Sequence, residues 1–167
     1  MIRRVHWPVL LLILALLGGC TQHYLDKAEK YMSERRYVDA RKYYQKALDS
    51  KSSLAEQPWF AEAFHRAKYL AAFEQGKQLA ARGAHEAAID KFRTCLELHP
   101  QHAPAQTALA DAKRQAAASR VRQARSEADA GRLDAAAAHA RRAAELDPDN
   151  AAAAQAVASA EGRIRPA

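Results

Sequence analysis

The sequence predicts an all-α fold, a helical-repeat solenoid of three helix–turn–helix units, with long helices shared between neighbours and a C-terminal capping helix. Three observations predict it. Ala40, Ala88 and Ala136 recur at 48-residue spacing, each among good helix formers. In the middle unit Ala88, Phe92 and Cys95 follow at four- and three-residue steps, which puts them on one helix face. Breakers are few and regularly placed, with Gly83 and Gly131 at turns and Pro100 and Pro148 where helices must stop. At 49% hydrophobic and 7% aromatic, the 167-residue chain suits one alanine-rich helical domain better than a disordered chain or a β fold.

Residues 1–19 stand apart. Arg3 and Arg4 give a basic start, and Val9–Leu17 is an unbroken apolar run. A bilayer span needs about 20 apolar residues, so this run is too short to cross a membrane permanently. It fits the hydrophobic region of a secretory signal. The run ends in Leu17-Gly18-Gly19-Cys20, which resembles the lipobox of bacterial lipoproteins. That resemblance implies cleavage of 1–19 as a signal peptide, retention of 20–167, and a covalent lipid on Cys20 as the only attached group. Each buried methylene contributes about 0.8 kcal/mol, so several acyl chains make a lasting anchor. Thr21 follows the cysteine where inner-membrane members of that family carry Asp, which points to the outer membrane, facing the periplasm. The alternative is an ordinary signal whose Cys20 has no role.

The units follow in order. The first, about 21–54, has Tyr24, Ala28 and Tyr31 on one helix face, a turn before Tyr37, and Ala40, Tyr44 and Ala47 on the second helix. The second, about 69–102, has Ala72, Gly76 and Leu79, then His85, Ala88, Phe92 and Cys95. The third, about 117–150, has Arg120, Ala124 and Glu127, then Leu133, Ala136, Ala140 and Ala143. Ala140 stands where Tyr44 and Phe92 stand, so the third unit should be the least stable. The connectors 55–68 and 103–116 are rich in helix formers, and each has a proline early, where a first-turn proline is tolerated. Pro58–Arg82 and Pro104–Ala130 are therefore expected as single long helices, and 151–164 as the terminal cap. A separate helix in each connector is the alternative.

The small residues at Gly76 and Ala88 with Phe92 beside them resemble the tetratricopeptide repeat, a helix–turn–helix unit that stacks on its neighbours. The closing segments LELHP and ELDPDN are similar to that family's pattern. The usual period there is about 34 residues, so the 48-residue spacing here carries 14 extra residues per unit.

No catalytic constellation is apparent. The seven histidines show no ligand spacing with a carboxylate, and no metal site is expected. His99 and His102 fall in an interhelix loop, and His102→Ala is expected to change little. There is no phosphate-binding glycine loop and no nucleophile elbow, so the chain is not expected to be an enzyme. Cys95 occupies the small-residue position of Ala47 and Ala143, and buried packing is favoured there over a reactive thiol. Removing Arg3 and Arg4 from 26 basic residues leaves 24 against 19 acidic ones, a net +5. No aromatic-interleaved basic patch accompanies that charge, so nucleic acid is not expected.

The tetratricopeptide resemblance implies a groove lined by the first helices of successive units. The matching outward positions are Leu25, Glu29 and Met32, then Phe73, Lys77 and Ala80, then Val121, Arg125 and Ala128. They would make an apolar strip whose charge turns from acid to base, unless these side chains pack against the long helices instead. The expected function is a lipid-anchored adaptor in the bacterial envelope, binding an envelope protein or peptide segment and held to the membrane by its lipid. The alternatives are an assembly lipoprotein for a secretion or pilus pore, or a regulatory subunit recruiting a cell-wall enzyme.

Overall fold

The computed structural model describes residues 7–164, with side chains from 20 to 163. The Arg3–Arg4 start of the signal segment lies outside the described residues. Seven α-helices follow in order, with no strand among the described residues. They are α1 (Trp7–Ser33), α2 (Tyr37–Ser50), α3 (Pro58–Ala81), α4 (His85–Leu98), α5 (Ala103–Asp129), α6 (Leu133–Leu146) and α7 (Ala151–Ile164). Each helix packs on the next, and α5 also packs on α7. The 48-residue interval holds at the starts of α2, α4 and α6, as helical repeats require. α1 runs through Gly19–Cys20 without a break, and among the described residues no helix is long and apolar enough to cross a membrane.

The two long helices do form. α3 ends one residue short of the expected Arg82, and α5 begins one residue before Pro104 and ends one residue before Ala130. Each is shared. Phe60, Phe64 and Ala67 in the first half of α3 cluster with Leu25, Ala28 and Tyr44 of the first hairpin. Phe73, Leu79 and Ala80 in its second half pack on the cluster containing Ala88 and Phe92 of α4. α3 starts at Pro58, where the long helix was expected. Residues 55–57 are not part of the long helix, and a 3₁₀ turn at Ser52–Glu56 buries Leu54 instead. Pro58 explains the interruption, because its ring disfavours helical backbone at the preceding residue, and Gln57 is extended at φ −87°, ψ 116°.

The three hairpin turns are built alike. Gly83 (φ 76°), Gly131 (φ 75°) and Arg35 (φ 59°) occupy equivalent positions in the left-handed region. At Gly83, its N–H donates to Ala80 and the Ala84 N–H reaches back to Leu79, the paired bonds of a Schellman cap. Gly131 and Arg132 repeat this with Ala128 and Glu127, and Arg35 and Arg36 repeat it with Met32 and Tyr31. The bonds are the same, so only the first turn holds an L side chain in this conformation. On α6 the buried stripe is alanine but for Leu146 at its end: Ala136, Ala137, Ala140 and Ala143 precede it.

Left-handed backbone costs an L residue about 1–2 kcal/mol, partly offset by the entropy glycine gives the unfolded chain. Arg35→Gly should therefore stabilise the protein by about 0.5–1 kcal/mol, and Gly83→Ala should destabilise it by about as much. Urea midpoints moving in opposite directions would confirm this. Two shifts of the same sign would refute it.

Candidate functional site

The odd-numbered helices carry all nine residues expected to line a groove, and the structure divides them. Leu25 is only 8% exposed and Val121 only 5%. Leu25 belongs to the cluster of Tyr44 and Phe60, and Val121 to that of Ile89 and Phe92. Phe73 is half-buried, its ring 5.9 Å from Phe92 and 4.9 Å from His102. The expected apolar strip is therefore not open, because its two ends are core and its middle is wedged between rings. Glu29, Lys77 and Arg125 are exposed, and Met32, Ala80 and Ala128 are half-buried. The turn of charge from acid to base is thus carried on the surface.

Open hollows lie at both ends of this face. Between α1 and α3, over α2, Glu29, Met32, Tyr37, Tyr44, Trp59 and Arg66 line a hollow of about 500 Å³. Between α5 and α7, over α6, Arg125, Ala128, Ala136 and Gln155 line one of about 190 Å³. Sequence reasoning passed over Trp59. It is the one exposed large hydrophobic side chain among the described residues, at 49% exposure, and stands edge-on to Phe60 at 5.8 Å. A signal was present. Phe60, Phe64 and Ala67 define the buried stripe, and Trp59 lies about 100° off it.

The other side of the stack is ionic where α4, α5 and α6 meet. Glu86 accepts from Arg120 at 2.7 Å and from Arg142 at 3.0 Å, and Arg142 also pairs with Glu145 at 3.0 Å. Burial pushes the Glu86 carboxyl up, but the hydrogen bonds from both guanidiniums outweigh it and hold the group below the ordinary carboxylate value. Arg120 also lies 3.1 Å from His139 Nδ1. This bridge ties three helices across two hairpins.

His99 and His102 form an aromatic cluster with Tyr69 and Phe73. His99 stacks on Tyr69 at 4.7 Å, and the two histidine rings are 6.0 Å apart. Among the described residues no group of three or more His, Cys, Asp or Glu could hold a metal ion. His102 is more than a loop residue. It caps α5, its Nδ1 accepting from the Ala105 N–H at 3.2 Å, as Asn150 Oδ1 accepts from Ala153 at the start of α7. Cys95 is fully buried, and burial pushes its thiol up to about 11, so it stays protonated at neutral pH. No protein-family model matches the chain, and no curated protein matches it.

Burial, and then the nearby His99, hold His102 below its ordinary value of 6.5. As pH falls, the unfolded chain takes up this proton first. The stabilisation is therefore full above about pH 6.5 and is lost as pH falls through the lower folded value. Protonation also destroys the Nδ1 acceptor. His102→Asn, which copies the cap at Asn150, should keep stability at pH 7.5 and flatten the fall in Tm between about pH 7 and 5. An unchanged pH profile would remove His102 as its source.

Proposed function

We propose that this chain is a lipid-anchored adaptor of the bacterial envelope, a tetratricopeptide-like solenoid that grips a protein partner beside Trp59. The observation that carries the reading is the exposed indole at the rim of the hollow formed with Met32, Tyr37 and Tyr44. Aromatic and methionine side chains at a concave, partly apolar site are the residues on which binding energy concentrates. Glu29, Glu62 and Arg66 around the same hollow would fix the partner's register.

The anchor is supported by the apolar run Val9–Leu17 and by Leu17-Gly18-Gly19-Cys20. Cys20 is exposed, so it is open to acylation. Thr21, next along the chain, is buried and hydrogen-bonds through Oγ1 to Ser50 Oγ at 2.9 Å. A lipid on Cys20 would hold the first hairpin at the membrane surface with no slack, which suits a partner in or beside that membrane. Thr21 after the cysteine supports the outer membrane, facing the periplasm. The solenoid reading is supported by the three equivalent turns and by Gly76 against Phe92, where a Cβ would stand 2.5 Å from the ring.

Two experiments test the reading. Cys20→Ser should abolish labelling by radioactive palmitate, and undiminished labelling would end the lipoprotein claim. Trp59→Ser should leave the helical circular-dichroism signal intact and remove the product of in-cell photocrosslinking from position 62. A hot-spot loss of about 2 kcal/mol corresponds to roughly thirtyfold in affinity. A crosslink of undiminished yield would place the partner elsewhere.

A further inference from the structure

On the side of α3 opposite Trp59, α2 and α4 flank an open slot of about 690 Å³. Five cations line it: Arg41, Lys42 and Lys46 from α2, Lys68 from α3 and Lys91 from α4. The one acid in the lining is Asp39, which already accepts from Arg36 at 2.7 and 3.0 Å. Among the described residues none of the five cations has an acidic partner within ion-pair distance. Two are held by rings instead, Lys68 Nζ at 4.1 Å from the Phe64 centroid and Lys46 Nζ at 5.1 Å from that of Tyr43. Phe64, Ala72 and Leu98 give the slot an apolar floor.

The repeat itself supplies the comparison. One unit further on, the equivalent space is crossed by Arg120–Glu86–Arg142. Subtracting 48 from those numbers gives Ala72, Val38 and Thr94, all of which line the slot. The first copy therefore lacks the internal carboxylate that neutralises the second. Its cations stand exposed along the slot with no carboxylate to meet them.

We propose that this slot binds an acidic, extended segment of a partner protein, its carboxylates supplying the charge that Glu86 supplies in the next unit. Along α3, Phe64 to Gln75 spans about 16 Å, room for about five residues of extended chain. Alternating acidic and apolar residues match a cationic wall over an apolar floor. A bilayer is flat and cannot reach the apolar floor at Phe64 and Ala72, which are buried beneath the cationic walls. Single-stranded nucleic acid would need an open ring to stack on, whereas Phe64 is buried under Lys68. The proposal rests on the adaptor reading for where the partner resides. Acylation of Cys20 and the Trp59 crosslink test that reading separately.

The test is fluorescence anisotropy on the full chain in detergent micelles. The probe is a labelled peptide of about ten residues alternating glutamate and leucine, with a glutamine-for-glutamate control. Expected are saturable binding of the glutamate peptide alone and a roughly tenfold loss of affinity from about 50 to about 300 mM salt. Lys42→Glu with Lys91→Glu should weaken binding at least tenfold. Lys68→Gln, a milder change, should weaken it about threefold, and Arg122→Glu, outside the slot on α5, should leave it unchanged. Equal binding of both peptides, or wild-type affinity in the double variant with native circular dichroism, would overturn the proposal. So would a peptide that fails to bind while phosphatidylglycerol vesicles or oligothymidylate bind in a Lys42- and Lys91-dependent way.

Discussion

The ring of Phe92 lies where a side chain on Gly76 would have to be. A Cβ there would stand 2.5 Å from Phe92 Cε1 and 2.6 Å from Cδ1, closer than carbon atoms approach. Glycine inside a helix costs about 1 kcal/mol relative to alanine. Burying a phenylalanine contributes about 1.5–3 kcal/mol, and Phe92 is 1% exposed, so the close approach is favourable on balance. Much else depends on it. With α3 and α4 locked at this point, Ile89 joins Phe92 in a cluster that reaches α5, α6 and α7. The first unit places Ala28 and Tyr44 at the same positions, both in its own cluster.

The long helix α3 serves two hairpins because its buried side turns along its length. At 100° per residue, Phe60, Phe64, Ala67 and Ala71 fall within about 60° of one another, and Ala72, Gly76 and Leu79 are centred about 120° away. The first stripe packs with the first hairpin and the second faces α4. The wedge between them is the floor of the basic slot, and the remaining side carries Trp59, Glu62 and Arg66. One helix thus separates two surfaces of different chemistry.

Helix ends were the most legible feature, because local chemistry sets them. Glycine at φ near 75° and proline at a first turn act where they stand, whatever packs around them. Arg35 was not legible as a left-handed residue, since nothing in an arginine favours that backbone and only the 48-residue register reveals it. Leu25 and Val121, expected on a groove wall and found in the core, were misplaced for a different reason. The buried side of α1 is centred on Thr21, Leu25 and Ala28, so an error smaller than one 100° step moves Leu25 from groove wall to core. Trp59 was passed over because a large apolar residue beside Phe60 reads as core unless it is set against the Phe60, Phe64 and Ala67 stripe. The Glu86 bridge joins residues 34 and 56 apart in sequence, and no local pattern marks it.

The alanine stripe of the third hairpin has a thermal consequence. The heat capacity of unfolding rises with the apolar area exposed, about 0.45 cal/mol/K for each Å². The buried side of α6, four alanines and Leu146, covers less such area than Tyr44, Phe60 and Phe64 do at the other end. The C-terminal hairpin therefore has the flatter stability curve, and the aromatic N-terminal hairpin the more sharply domed one. On cooling below the temperature of maximum stability, the N-terminal hairpin loses its margin faster, so the difference in stability between the two ends of the chain is itself a function of temperature.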